Sequence, residues 1–208
     1  MTADAAVEVQ NPDTRTTLLD AAERIVVSQG VARMTLEEVA REAGVSKGGL
    51  LYHFRSKDAL TQGMIERFVG RFDAAVTLAH DGDAEPTGRW IRAYVRATAG
   101  QTPLTGEEFD RANGALTAAL ANFPERLEAV REQSLRHQAE IEGDTLDPVF
   151  ATIIRFAIDG IWLGQNFDLI HLDPRMKAAV IDRLLAWTRL DDLPGPGGGR
   201  PSPNEAEP

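Results

Sequence analysis

The sequence predicts an all-α protein of about nine helices, and three observations carry that prediction. Apolar residues recur at helical spacing along nearly the whole chain, and no stretch alternates with the period of two expected of a half-buried strand. Residues that start and stop helices punctuate the chain at matching intervals. Cysteine is absent from the 208 residues, so neither a disulfide framework nor a thiolate zinc site holds the chain together and packing must do so.

The elements follow in order. After a polar leader, residues 1–13, which is expected to be disordered, Leu18, Ala22, Ile25 and Val26 form one helical face that stops at Gly30. The first helix is therefore expected over about Thr14 to Gln29, with glycine as its left-handed terminator. Thr35 opens the second with a capping box, because Glu38 lies three residues on and the two can satisfy each other's amides. Leu36, Val39 and Ala40 make its inner face, and Gly44 ends it. Val45 then plugs the turn, and Ser46 caps a third helix to about His53. Ser56 caps a fourth, residues 57–80, striped by Leu60, Met64, Ile65 and Phe68. His80 to Pro86, HDGDAEP, reads as the break between regions. Longer helices follow at about Thr87–Ala99, Glu107–Ala121, Pro124–Glu142, Pro148–Asp168 and Pro174–Leu190. Pro124, Pro148 and Pro174 suit first-turn positions, with Asp147 and Asp173 as caps. Residues 191–208, DDLPGPGGGRPSPNEAEP, hold almost nothing apolar and are expected to be disordered.

Composition narrows the function. With 43% hydrophobic and 26% charged residues the chain can bury the core of one domain or two small ones. No apolar run approaches the roughly 18 residues of a membrane span, and the start, MTADAAVEVQNPD, lacks the basic and apolar parts of a signal peptide. A cytoplasmic protein without membrane association is expected. A net charge of -10 argues against a surface that coats nucleic acid generally. Arg33 to Lys57, however, carries five basic residues against three acidic, a net +2 that leaves -12 for the rest.

That basic island holds two adjacent glycines, Gly48 and Gly49, in a short helix, where each costs about 1 kcal/mol relative to alanine. Two short helices joined by a glycine-containing turn form the helix-turn-helix unit, whose second helix enters the DNA major groove. Ala40 is small where the helices would cross, Gly44 permits the turn, and Val39, Val45, Leu50 and Phe54 can form the core beneath. Glycines on the exposed face of the second helix let its backbone approach bases or phosphates. Lys47, Tyr52, His53 and Lys57 surround them as phosphate donors.

The stretch LLDAAERIVVSQGVARMTLEEVAREAGVSKGGLLYHFRSKDAL resembles the DNA-binding region of the TetR family of transcriptional regulators over about Thr14 to Phe68. The resemblance implies an N-terminal helix-turn-helix domain, residues 14–56, a connecting helix, residues 57–80, and a helical effector and dimerisation domain, residues 81–190. It implies phosphate contacts from Thr35 and Lys57 at helix starts, base approach by Lys47, Gly48 and Gly49, and backbone contacts from Tyr52 and His53. Ser46 and Leu51 complete the expected DNA-binding set. Leu51 departs from the pattern, since many members carry an aromatic there; it is expected to meet a thymine methyl or to pack.

In the second region, Pro148 to Leu172 is apolar around most of its circumference and must be buried on more than one side. Gly160 and Gly164 allow a close helix crossing, and the last helix adds Val180, Leu184 and Trp187. The resemblance implies that these two helices pair with their copies in a homodimer, with Ile153, Ile161 and Phe167 also at the interface. An effector pocket is expected from Trp90, Tyr94, Phe109, Leu116 and Trp162, with Arg155, Asp159, Gln165 and Asn166 as polar anchors. Arg155 and Asp159, four apart, alternatively satisfy each other.

Metal and catalytic patterns are weak. His80, Asp81 and Asp83 fail the calcium-loop pattern, with Pro86 where glycine is needed, and His137 and His171 are isolated. No cofactor and no enzyme activity are expected. The reading is a dimeric repressor released from a palindromic double-stranded operator by a small-molecule effector; a helical ligand-binding or scaffold protein, or an all-α enzyme without a DNA role, is the alternative.

Overall fold

A computed structural model describes residues 13–120 and 127–189, without the side chains of 119 and 120. The expected leader and tail, the first-turn role of Pro124 and the end at Ala121 lie outside these residues, and the last helix ends at Trp187, three residues before the expected Leu190. The described residues form nine helices: α1 Thr14–Arg33, α2 Leu36–Glu42, α3 Lys47–His53, α4 Lys57–Asp81, α5 Arg89–Thr98, α6 Glu107–Leu120, α7 Glu128–Glu142, α8 Pro148–Asn166 and α9 Pro174–Trp187. None is long and apolar enough to cross a membrane.

Local signals set most of the ends. The capping box at Thr35 is formed from both sides, and Ser46, Asp147 and Asp173 each accept a backbone amide of the helix they open. Gly30, at φ 80° and ψ 160°, breaks the helical path of α1, as its terminating role requires, and one more short turn reaches Arg33. α8 stops at Asn166, two residues before the expected Asp168, because the Gly164 carbonyl accepts from both Leu169 and Ile170 and folds the chain back.

The chain forms two compact units. The first comprises the residues through Ala75 together with Thr102–Arg136; the second comprises Val76–Gln101 and the residues from His137 on. The helices α4 and α7 thus each contribute to both, and the His80–Pro86 connection lies within the second.

In the first unit, Leu18, Leu19, Ala22 and Val26 of α1, Val39 and Ala40 of α2, Leu50 of α3, Phe54, and Leu60, Met64 and Ile65 of α4 form one core, joined by Leu116 of α6. α4 can cross Phe54 only because residue 63 is glycine. A Cβ there would stand 2.8 Å from the Phe54 ring and 3.4 Å from Leu19.

The second unit is organised by an arginine with no solvent exposure. Arg92 of α5 donates to Asp83 (2.7 Å), to the carbonyls of Glu85 (2.7 Å) and Thr87 (2.5 Å), and to Thr188 Oγ1 (3.3 Å) at the end of α9. This one guanidinium ties the α4–α5 connection to the C-terminus of α9, a good use of its planar fork of donors. Gly88 sits at φ 62°, where a Cβ would run into the Thr188 carbonyl, so both backbone and packing demand glycine. α5 packs further against α8.

Both cores are open to direct test. Gly63→Ala should lower unfolding stability by about 1–3 kcal/mol through overpacking against Phe54, whereas Gly48→Ala, with open space at its Cβ, should leave stability unchanged or raise it by up to about 1 kcal/mol; urea denaturation of the two variants checks both signs. The hydrogen bond from Arg92 holds the Asp83 carboxyl down at about 2 from an ordinary 3.8. A depressed folded-state pKa means that the pair's contribution is fully present above pH 3.8 and is lost as pH falls through about 2. Asp83→Asn should cost about 3 kcal/mol near neutrality and remove this part of the acid dependence, measured as thermal stability against pH.

Candidate nucleic-acid interface

α3 has seven residues, too few to hold its shape alone. Its first turn is closed by Ser46 Oγ, which accepts from Gly49 N at 3.0 Å, and its inner side by Leu50, which is fully buried. Phe54 follows, buried against α4 and Leu19, with the Arg15 guanidinium 5.2 Å from its ring centre. The turn from α2 runs through Gly44 at φ 70°, where Val45 N donates to the Ala40 carbonyl at 2.9 Å. On the inner side α3 thus leans on Leu50 alone, and Lys47, Gly48, Leu51 and Tyr52 are left exposed, with Gly49 and His53 half-buried. Tyr52 is 85% exposed and meets His53 edge-on at 5.1 Å.

The two glycines of α3 have no packing reason to be glycine. A Cβ at Gly48 would find only Ser46 Oγ, at 3.9 Å, and one at Gly49 only Ser46 Oγ at 3.4 Å and Val45 Cβ at 4.0 Å, ordinary contacts. Neither has a positive φ. Nothing among the described residues requires them, in contrast to Gly63.

The cations are arranged differently from the sequence expectation. Lys47 Nζ pairs with Glu37 of α2 at 2.5 Å, and this pairing holds the Glu37 carboxyl below its ordinary range. Lys57 Nζ donates to the Ala32 carbonyl at 2.9 Å, where it caps the end of α1. Thr35 Oγ1 accepts from Glu38 N at 3.2 Å and donates to the Glu38 carboxylate at 3.0 Å. Both lysines thus have partners within the chain, and Glu37 is a residue of this face that sequence reasoning missed. An acid one turn before Arg41 is visible in the sequence, but its pairing with a residue ten positions away on another helix is not.

The expected effector residues fall into both units. Phe109 and Leu116 belong to the first: Leu116 is in its core, and Phe109 stacks on Phe68 at 5.0 Å with Arg71 over its outer face at 5.1 Å. Phe109 also borders a cleft of about 490 Å³ lined by Asp20, Glu23, Arg24, Glu108 and Arg111, a charged lining rather than the apolar one expected. The others belong to the second. Tyr94 OH donates to Asp159 at 2.9 Å, Arg155 lies 3.6 Å from Asp159 and 5.4 Å from the Tyr94 ring centre, and Arg155 donates to Gln138 at 2.8 Å. Trp90 stacks on Tyr94 at 5.9 Å, and both rings contact His137. Burial pushes the Asp159 carboxyl above its ordinary value, against the opposing pull of Tyr94 and Arg155, and burial pushes the Tyr94 phenol up as well. Asn166 donates to the Trp162 carbonyl at 2.9 Å and so serves the end of its own helix; Gln165 and Trp162 are half-buried. The sequence reading missed Gln138 and His137, whose helix shows no pattern to set them apart.

Two expected interface residues are corrected. Gly164 is buried within its own chain, where a Cβ would collide with Ile170, and Leu184 is buried in the second unit's core. The chain folds back here, with Leu169 N and Ile170 N both donating to the Gly164 carbonyl, and that return covers Gly164. Trp187 is half-buried on Phe150 at 6.0 Å, and Ile161 and Val180 are half-buried. Ile153, Gly160 and Phe167 are exposed. They alternate with the exposed Val149, Phe156 and Leu163 in steps of four and three, a continuous apolar stripe along α8 with Phe156 67% exposed.

Residues 18–64 match the family described as bacterial regulatory proteins, tetR family, and residues 88–189 match a tetracyclin repressor-like C-terminal domain. The regulator TtgR of Pseudomonas putida is 41% identical over 54 residues, which is 26% of either chain, so the match spans about a quarter of that relative's length. The repressor NemR of Escherichia coli K12 is 29% identical over 168 residues, 74% of this chain and 82% of its own. A solved TetR-family structure from Streptomyces coelicolor A3 superposes with a TM-score of 0.64 at 26% identity, covering 83% of this chain and 98% of that one. With the helix-turn-helix geometry of α2 and α3, the all-helical remainder, and both halves of the chain matched to the same kind of regulator, the chain belongs to the TetR family of transcriptional regulators.

Proposed function

We propose that the protein is a homodimeric DNA-binding repressor whose α3 enters the major groove of a palindromic operator and which a small molecule bound in the second unit releases. The observation that carries this reading is the pair Gly48–Gly49. Each costs helix stability and among the described residues neither serves packing or backbone conformation, which favours a use of their bare backbone toward a partner. On a helix N-terminus flanked by Lys47, Tyr52 and His53, close approach to a duplex accounts for it. Thr35, Ser46, Leu51 and Lys57 belong to the same proposed contact set, Lys57 with donors beyond the one given to Ala32, since an ammonium has three.

A single helix-turn-helix reads one half-site, so the reading needs a two-fold partner. The α8 stripe supplies the surface: Val149, Ile153, Phe156, Gly160, Leu163 and Phe167 follow the 4–3 spacing of a helix that packs along a partner helix. An apolar band of that continuity marks an interface. Repression fits the relative named as a repressor. The effector reading rests on the Trp90, Tyr94, His137, Arg155 and Asp159 cluster, in which aromatic rings lie beside an ion pair of a buried arginine and a half-buried aspartate. An effector releases DNA only if it binds the DNA-incompetent state more tightly than the competent one.

Gly49→Leu should retain or gain thermal stability and lose at least about tenfold in operator affinity, as measured by fluorescence anisotropy on fragments selected from genomic DNA; about 1.4 kcal/mol of lost contact suffices for that factor. Unchanged affinity would sink the close-approach reading. Phe156→Glu places a charge in the centre of the α8 stripe and should shift sedimentation from dimer to monomer at micromolar concentration, because an unpaired charge buried at an interface costs about 2–5 kcal/mol. A variant that remains dimeric would place the interface elsewhere.

A further inference from the structure

The basic island carries three acids, and two of them are committed to the fold: Glu38 closes the capping box with Thr35, and Glu42 pairs with Arg24 of α1 at 3.0 Å. Glu37 is different. It stands in the first turn of α2, and its carboxylate meets Lys47, the first residue of α3, directly before the two bare glycines. Both side chains are more than half exposed. A negative charge therefore sits on the face proposed to meet DNA.

From this placement we infer that Glu37 is a specificity-determining residue: by holding Lys47 it weakens binding to non-cognate duplex more than binding to the operator. The inference rests on the proposed DNA interface. Every duplex presents phosphates, and sequence-independent binding comes from lysines and arginines that neutralise them. Lys47 reaches a phosphate only by leaving Glu37, which then stands uncompensated on a surface pressed against other phosphates. Phosphate attraction alone thus gains little from Lys47. A cognate sequence can offer what a random one does not, a major-groove amino group of cytosine or adenine that donates to the freed carboxylate. Discrimination then comes from a repulsive element that only the right partner relieves.

The exchange is feasible because an exposed ion pair is weak.

The test uses the full-length protein with two fluorescent duplexes of about 30 base pairs, long enough for two half-sites: one of random sequence, and one enriched from genomic DNA by the wild-type protein. Affinities are measured between about 50 and 200 mM salt for wild type, Glu37→Gln, Glu37→Ala, Lys47→Ala and the Glu37→Gln/Lys47→Ala double variant. Glu132→Gln, which removes the same charge from an exposed position on α7, controls for net charge. Glu37→Gln and Glu37→Ala should tighten the random duplex about fivefold and steepen its salt slope by about 0.9 for each reading head. The enriched duplex should tighten less, so that the ratio of the two affinities falls, and adding Lys47→Ala should cancel the gain. Equal tightening of both duplexes to the extent seen with Glu132→Gln would reduce the effect to net charge and overturn the inference. An unchanged slope for random DNA would show that Lys47 is not held back, and would overturn it equally. A wild-type protein that is folded by circular dichroism yet binds neither duplex overturns the DNA reading itself, an outcome distinct from wild-type binding whose selectivity Glu37→Gln leaves unaltered.

Discussion

The helix-turn-helix of this protein depends on how a helix too short to be stable alone is held in place. α3 gains almost nothing from its own hydrogen bonds, since nucleation of so short a helix is unfavourable in water. What fixes it is Leu50, fully buried, with Phe54 at its end locked beneath α4 over Gly63. Because those two side chains and the Ser46 cap supply the placement, Gly48 and Gly49 are not needed to hold α3 among the described residues. Two glycines can then stand on that face without unravelling the helix. The same arrangement explains why the tolerance for a Cβ is opposite at Gly48 and Gly63: one faces open space, the other an aromatic ring.

The second unit is held by a different kind of constraint. A fully buried guanidinium is costly to desolvate unless its donors are met. Arg92 meets them with Asp83, with the carbonyls of Glu85 and Thr87, and with Thr188. The arginine therefore specifies a geometry as much as it stabilises one, since removal of any partner leaves a charge or a carbonyl stranded. Its position at the start of α5, against the end of α9, gives that unit a fixed frame in which the Tyr94–Asp159–Arg155 cluster and the outward face of α8 are presented.

Charge on the recognition face follows from the whole molecule's balance. A chain of net charge -10 proposed to bind DNA has to concentrate its attraction locally, and here even the local island is tempered: Lys47 is paired with Glu37, and Lys57 is engaged at the end of α1. On the proposed interface, such tempering would lower sequence-independent attraction and leave more of the affinity to contacts that depend on the bases. In the proposed reading, the bare backbone of Gly48 and Gly49 and the exposed Tyr52 make contacts of that close-range kind.

The amino-acid sequence by itself determined the all-α class, the helix-turn-helix and most of the helix starts among the described residues, whereas the ends of α1, α8 and α9 fall two to four residues from their expected places. Those features rest on interactions within four or five positions, such as Thr35 with Glu38, Ser46 with Gly49 and Asp147 with Phe150. Only the tertiary structure decided which surface each helix turns inward and which distant atoms meet. It placed Phe109 and Leu116 with the first unit, closed Gly164 against Ile170, buried Arg92, and turned Val149, Phe156 and Leu163 outward. It also brought Glu37 to Lys47. The physical reason is common to all of these: helical spacing states that two residues share a face, whereas burial, a close glycine crossing or an ion pair depends on what the rest of the chain brings to that face.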